Sequence, residues 1–255
     1  MSGHNKWSTI KHKKGAADAK RGKVFSRVSK EIIMAAKEGG PDPDLNARLR
    51  SAIAAAKACN MPNDNIDRAI KKGCGGGEGS QMESLSYEGY AAGGVAIIVN
   101  CLSDNRNRTA ADIRNFFNKY NCNMANSGAV SWKFHRKARF VIEGENADEE
   151  KLFNLLLEGG ADVEDISVDD DVAEIIAPPE AFSDILKALE SANITASESS
   201  VALIPENRTQ VSDVKIAQSV QKFLDVLEDY DDAQEVFHDM EVTDEVAEQL
   251  EAEEE

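Results

Sequence analysis

ARFVIEGENADEEKLFNLLLEGGADVEDISVDDDVAEIIAPPEAFSDILKALESANITASESSVAL, residues 138–203, reads as one complete folding unit. Its hydrophobic period switches in a fixed order, so the elements can be named one by one. A strand spans 138–142, a helix 148–158 closed by Gly159-Gly160, and strands 162–168 and 172–177. A second helix over 179–191 and a strand over 194–203 complete the unit. The second helix starts at Pro178-Pro179 and lines up Phe182, Ile185, Leu186 and Leu189 on one face, the spacing of a core-facing stripe. The order is βαββαβ, a ferredoxin-like arrangement. Between its middle strands, Asp169-Asp170-Asp171 offers three carboxylates, which a metal could use. A polar turn between antiparallel strands needs only the turn propensity of Asp and is the preferred reading.

The flanks of this unit complete each other. Upstream, SYEGY leads through a Gly93-Gly94 turn into Val95–Leu102, a hairpin. A helix follows with Ile113, Phe116, Phe117 and Tyr120 at helical spacing. Downstream, a helix from about residue 212 turns Ile216, Val220, Leu224 and Leu227 inward and precedes a strand over 235–238. Each flank lacks what the other supplies, so residues 81–135 and 206–240 read as one discontinuous α/β domain with 136–205 inserted in it. The loop Asp104–Thr109 carries Arg106 and Arg108, and two readings stand side by side for them: surface charges near acidic neighbours, or a second phosphate contact. No Lys or Arg follows Lys222, and residues 241–255 read as an acidic tail, a frayed or helical solvated extension.

Residues 1–80 differ in charge and in period. Gly3–Lys37 holds ten Lys and Arg against two acids in a chain of formal charge -17. Its second half is helical, with Lys20, Lys23, Arg27, Lys30 and Lys37 on one stripe and Phe25, Val28, Ile32 and Ala36 on the opposite one. A solvated charged face is the ordinary reading of such a stripe. Its single sign, and the second basic cluster at Gly3–Gly15 with Trp7, His4 and His12, favour phosphate contact with stacking on bases or ribose. A second helix begins near Leu45 behind Pro43-Asp44 and stops near Asn60. A third begins at Pro62 and ends at Gly73, with Lys71-Lys72 in its last turn. CGGGEGS (74–80) reads as a linker. The fold class is therefore α+β in three domains: an N-terminal three-helix basic bundle, then two α/β domains, the last inserted into the middle one.

Composition narrows the function. Residues 1–72 hold sixteen basic against seven acidic side chains, and residues 73–255 hold thirteen against thirty-nine, so the acidic part restricts polyanion binding to the positive end. No apolar run approaches the roughly eighteen residues of a membrane span, and the start lacks the apolar stretch of a signal peptide. Cys59, Cys74, Cys101 and Cys122 are irregularly spaced, which indicates neither zinc nor a disulfide framework and suits the cytoplasm. No nucleotide-binding loop, nucleophile elbow or metalloprotease motif occurs, so no catalytic residue, cofactor or metal is expected. A metal-dependent nuclease and a pure protein-interaction module are the weaker alternatives. The expected nucleic-acid contacts are Lys6, Trp7, Lys11, His12, Lys13, Lys14, Lys20, Arg21, Lys23, Arg27, Lys30, Arg106 and Arg108.

The blocks GHNKWSTIKHKK, DAKRGKVFSR, EGGPDPDLNARLRSAI, NMPNDNIDRAIKKG, GGVAIIV and DNRNRT resemble the YebC/PmpR family, which includes the mitochondrial translational activator of cytochrome c oxidase. Two departures stand out: Ala91-Ala92 replaces an expected Gly-Pro, and the acidic tail is long. The resemblance implies an N-terminal helical bundle with two α/β domains around a cleft, and a non-enzymatic role in gene expression. Family members are described as DNA-binding transcriptional regulators and as ribosome-associated translation factors. The Lys-rich block has few of the Arg, Asn and Gln side chains that read base edges, which favours an RNA-associated translation factor over a sequence-specific DNA reader. Ribosomal RNA or DNA is the expected partner, with the ribosome a further one and no membrane.

Overall fold

The computed structural model describes residues 17–75 and 82–254, with side chains described from 22 to 75 and from 82 to 250. The chain divides into two compact units, Gly15–Ala129 with Ser219–Val236, and Val130–Gln218 with Phe237–Glu255.

The first unit begins with three helices, α1 (Ala17–Gly39), α2 (Ala47–Ala58) and α3 (Asn63–Cys74). Their apolar stripes meet in one core of Ile32, Ile33, Ala36, Leu49, Ala52, Ala56, Ile66 and Ala69, which continues into Met82 and Leu102. Asn46, not Pro43-Asp44, caps α2: its Oδ1 accepts from the Leu49 amide at 3.0 Å. Its Nδ2 donates to the carbonyls of Ala35 (2.7 Å) and Gly40 (3.0 Å), so one buried amide side chain also closes the end of α1. Gly73 does not end α3. It lies inside the helix, where an added Cβ would stand 2.5 Å from the Ile33 carbonyl oxygen and 2.8 Å from the Ala36 Cβ, so its missing side chain lets α1 and α3 approach.

The same unit holds a four-stranded sheet in the order β3-β1-β2-β9, made of β1 (Glu83–Tyr90), β2 (Ala96–Ser103), β3 (Asn123–Ala125) and β9 (Ala233–His238). The β1–β2 hairpin closes through Gly93 (φ 72°) and Gly94 (φ 78°), and Ala91 is extended and buried before it. The chain thus returns at β9 to a sheet begun some 150 residues earlier, the discontinuity expected from the two incomplete flanks. On this sheet lie α4 (Arg106–Lys119) and the later part of α7 (Val214–Asp229). Phe117 of α4 meets Phe223 of α7 edge to face, with centroids 4.9 Å apart, and Val220, Leu224 and Leu227 are buried alongside.

The second unit contains β4 (Phe134–Glu143), α5 (Glu149–Glu158), β5 (Asp165–Asp169), β6 (Val172–Ala177), α6 (Phe182–Ser191) and β7 (Glu198–Pro205). The sheet order β5-β6-β4-β7, with antiparallel pairs throughout, is that of a ferredoxin-like βαββαβ unit. Phe140, Ile142, Ile175, Leu152, Leu156, Ile185 and Leu189 form its core, and Phe140 stacks on Phe182 at 4.9 Å. Asp170 sits in the β5–β6 turn at φ 49°, a left-handed position that Asp tolerates, as the turn reading expects.

The acidic C-terminus differs from its expected solvated tail. Met240–Val242 forms β10, which pairs in parallel with β8 (Thr209–Val211), and Asp244–Glu254 forms α8. Val242, Val246 and Leu250 are buried, so an apolar stripe docks this segment despite its charge.

Two glycines on the same helix pair make the packing argument testable. Gly73→Ala should destabilise the chain by about 1–3 kcal/mol through overpacking, whereas Gly22→Ala, where nothing lies within 4 Å of the new Cβ, should stabilise α1 by roughly 0.5–1 kcal/mol. Urea midpoints of the two variants check both signs.

Candidate nucleic-acid interface

The basic stripe of α1 exists because Lys23, Arg27 and Lys30 recur at helical spacing opposite the buried Ile32 and Ala36. In the structure this stripe meets the C-terminal end of α7 and the segment after it. The Lys23 ammonium pairs with Asp229 at 2.8 Å. The Arg27 guanidinium donates to the Glu228 carbonyl. Lys30 Nζ donates to the Asp231 carbonyl at 2.7 Å and to Asp232 Oδ1 at 2.6 Å. A helix C-terminus carries unsatisfied carbonyls and partial negative charge, so a row of cations is its natural partner.

Asp232 is the centre of this arrangement and is only 4% exposed. Its Oδ2 accepts from Arg108 (3.0 Å), Thr109 Oγ1 (2.8 Å) and Ser103 Oγ (3.0 Å). The Tyr230 hydroxyl lies 3.1 Å from the same oxygen and 2.9 Å from Asp112 Oδ2. Burial alone would raise the Asp232 pKa. Hydrogen bonds from Lys30, Arg108 and Thr109, with the Lys30 charge, outweigh it and hold the carboxyl well below the usual carboxylate range. The negative charge is felt nearby: burial first, and then Asp232, push the Cys101 thiol up to about 12.

Beside Asp232 opens a cleft of about 390 Å³ lined by Ser26, Ser29, Lys30, Ile33, Lys72, Met82, Asp104, Arg108 and Asp232. Its charged groups are three cations and two carboxylates, two of the cations already engaged by Asp232. Among the described residues, no group of three or more His, Cys, Asp or Glu side chains is placed to hold a metal.

The expected contact residues therefore fall into distinct groups. Lys6, Trp7, Lys11, His12, Lys13 and Lys14 lie outside the described residues. Lys20 and Arg21 belong to the first turns of α1, with side chains outside those described. Lys23, Arg27 and Lys30 face the α7 end. Arg106 and Arg108 sit in the first turn of α4, not in a loop, because the Asn105 side chain caps that helix by accepting from the Arg108 amide at 3.1 Å. Arg106 is exposed, while Arg108 bridges Asp104 and Asp232. Lys30 and Arg108, read from separate segments, thus converge on one carboxylate. Asp232, Ser103, Thr109 and Tyr230 had no role in the sequence reading. The available signal was a one-signed helix face that required countercharge and the acidic run Asp229-Tyr230-Asp231-Asp232 directly after a helix.

Comparisons with known proteins cover nearly the whole chain. Residues 5–76 match the model of the TACO1/YebC protein N-terminal domain, and residues 82–240 match that of the TACO1/YebC second and third domain. A probable transcriptional regulatory protein of Brachyspira hyodysenteriae is 49% identical over 98% of this chain and 100% of its own length. One of Geobacter sulfurreducens is 50% identical over the same shares. The crystal structure of a conserved hypothetical protein from Aquifex aeolicus superposes with a TM-score of 0.77 at 42% identity, covering 89% of this chain and 93% of that one.

The ionised Asp232 carboxylate stabilises the fold fully above the ordinary aspartate range, near pH 4, and this contribution is lost as pH falls toward its depressed folded value. Asp232→Asn should therefore cost about 3–5 kcal/mol at neutral pH, with a deficit that narrows below about pH 4. Denaturant titrations of both proteins across that range check the sign.

Proposed function

Because the chain belongs to the TACO1/YebC family, we propose that it is a non-enzymatic regulator of gene expression that acts by binding nucleic acid through its N-terminal basic region. The carrying observation is the charge distribution. Sixteen Lys and Arg against seven acids in residues 1–72 oppose a strongly acidic remainder. The described cations at positions 23, 27 and 30 are engaged by the α7 end. The phosphate contacts are assigned to Lys6, Lys11, Lys13, Lys14, Lys20 and Arg21, with His12 beside them in sequence, and to the exposed Arg50, Lys57, Arg68, Lys71 and Lys72. Arg106 joins them from α4 as an exposed cation.

The relatives' shared description as probable transcriptional regulatory proteins supports duplex DNA as the target and transcription as the process. A second reading, a translation factor bound to ribosomal RNA, draws support from the block itself, which is rich in Lys and poor in base-edge readers. Both readings place the protein in the cytoplasm, which suits its four free cysteines. Neither calls for a cofactor.

Reversing Lys6, Lys11, Lys13 and Lys14 to Glu should abolish binding to duplex DNA and to ribosomes while leaving circular dichroism and thermal unfolding unchanged. Each lost phosphate contact should flatten the dependence of log K on log salt by about 0.9 for duplex DNA. Salt-sensitive retention on duplex DNA without ribosome co-sedimentation supports the transcriptional reading, and the converse supports the translational one. Undiminished binding of the variant to both would overturn the N-terminal assignment.

A further inference from the structure

A second basic and aromatic stretch lies in the unit that is otherwise acidic. SWKFHRKAR, residues 131–139, contains Trp132, Lys133, His135, Arg136, Lys137 and Arg139 with no acid among them. Three of the cations are held by acids, while Trp132 and Arg136 keep much of their surface exposed. Arg139 is largely buried between Glu174 and Glu198. Lys137 pairs with Glu164 at 2.5 Å, and Lys133 pairs with the buried Asp239. Trp132 is 66% exposed, a costly placement for a large ring in water, and Arg136 is exposed as well.

The topology brings one more cation to the same rim. Phe134 pairs with Pro205 in the β4–β7 register, and the Glu206 amide donates to the Lys133 carbonyl at 2.7 Å, so residues 132–136 run beside 203–206. Asp239 Oδ2 accepts from Lys133 Nζ and from Thr209 Oγ1 (3.0 Å), and the Thr209 amide donates to the Asp239 carbonyl at 2.7 Å. Trp132 and Arg208 are therefore each one residue from side chains that share a single carboxylate oxygen. Arg208 is exposed, and among the described residues no ion pair forms at Arg136 or Arg208. Of the neighbouring acids, Asp239 is matched by Lys133, and Glu206 lies 3.6 Å from His135 Nε2.

We propose that this rim, Trp132 with Arg136 and Arg208, is a second contact for single-stranded nucleic acid, on which an unpaired base stacks on the indole while the two guanidinium groups meet the flanking phosphates. An exposed aromatic ring flanked by cations is the combination such strands recognise, because every base has a π-face and every link a charge. A duplex, whose bases are already stacked, cannot use the ring. The rim lies outside the N-terminal region, so the two assignments fail independently.

The chain has two tryptophans, Trp7 and Trp132, so a full-length Trp7→Phe protein reports on Trp132 alone. Titration with a short oligouridylate at low salt should quench its fluorescence saturably, and duplex DNA of equal length should quench it far less. Arg136→Glu with Arg208→Glu should weaken the quenching isotherm at least tenfold without changing the circular dichroism spectrum. Reversal of the N-terminal lysines should leave the saturable signal in place, even at lower affinity. Absence of quenching, equal quenching by duplex, or an isotherm unmoved by the double arginine variant would each overturn the rim. Failure of the N-terminal variant alone to lose binding would overturn only the first site.

Discussion

One buried carboxylate sets the terms for the first unit. Asp232 could not be held ionised and almost fully covered unless cations and hydroxyls surrounded it, because an unpaired charge in such surroundings costs several kcal/mol or titrates away. The chain meets that requirement from three elements at once: Lys30 from α1, Ser103 from the end of β2, and Arg108 with Thr109 from the first turn of α4. Each of those elements is thereby placed relative to the end of α7. The helical bundle and the sheet are joined by a polar hub as well as by the apolar continuity of Ile32, Met82 and Leu102. Hydrophobic burial supplies most of the stabilisation, but it is not directional; the hub supplies register.

Where the chain announces its structure locally, reading it was straightforward. The βαββαβ order of residues 138–203 follows from alternating periods, and each helix and strand recurs in the structure within a few residues. The return of β9 to the first sheet was legible for a related reason, since two incomplete halves flanked a complete unit. Elements too short to show a period were missed: β3, β8 and β10 have three residues each. The C-terminal segment misled for another cause. Val242, Val246 and Leu250 repeat at the interval of one helical turn or close to it, yet the surrounding Asp and Glu masked a stripe that is buried in the fold.

The candidate interface was half legible. The one-signed face of α1 and the cationic start of α4 were visible as charge, and their helical geometry followed from spacing. What they face was not visible, because Lys30 and Asp232 are 202 positions apart and Arg108 and Asp232 are 124 apart. No local pattern can report a pairing over such distances. Asn46 shows the same limit on a smaller scale: an Asn ahead of a helix is an ordinary cap, but its second task, holding the Ala35 and Gly40 carbonyls, exists only once α1 has turned back.

Net charge is consequently a poor guide to what this chain offers a polyanion. The formal value of -17 averages over acids that already have partners and cations that already have partners. A phosphate backbone that approached Lys23, Arg27 and Lys30 would have to displace Asp229, two backbone carbonyls and a buried carboxylate, and would strip those groups of these donors in exchange. The exchange is unfavourable unless the α7 end finds other donors. Cations whose countercharge is only water and salt release ions on binding and carry the salt-dependent affinity. Those bound to the α7 end instead hold the helix that presents them. On this helix face, the cations at positions 23, 27 and 30 thus serve architecture through the carboxylates and carbonyls they have met.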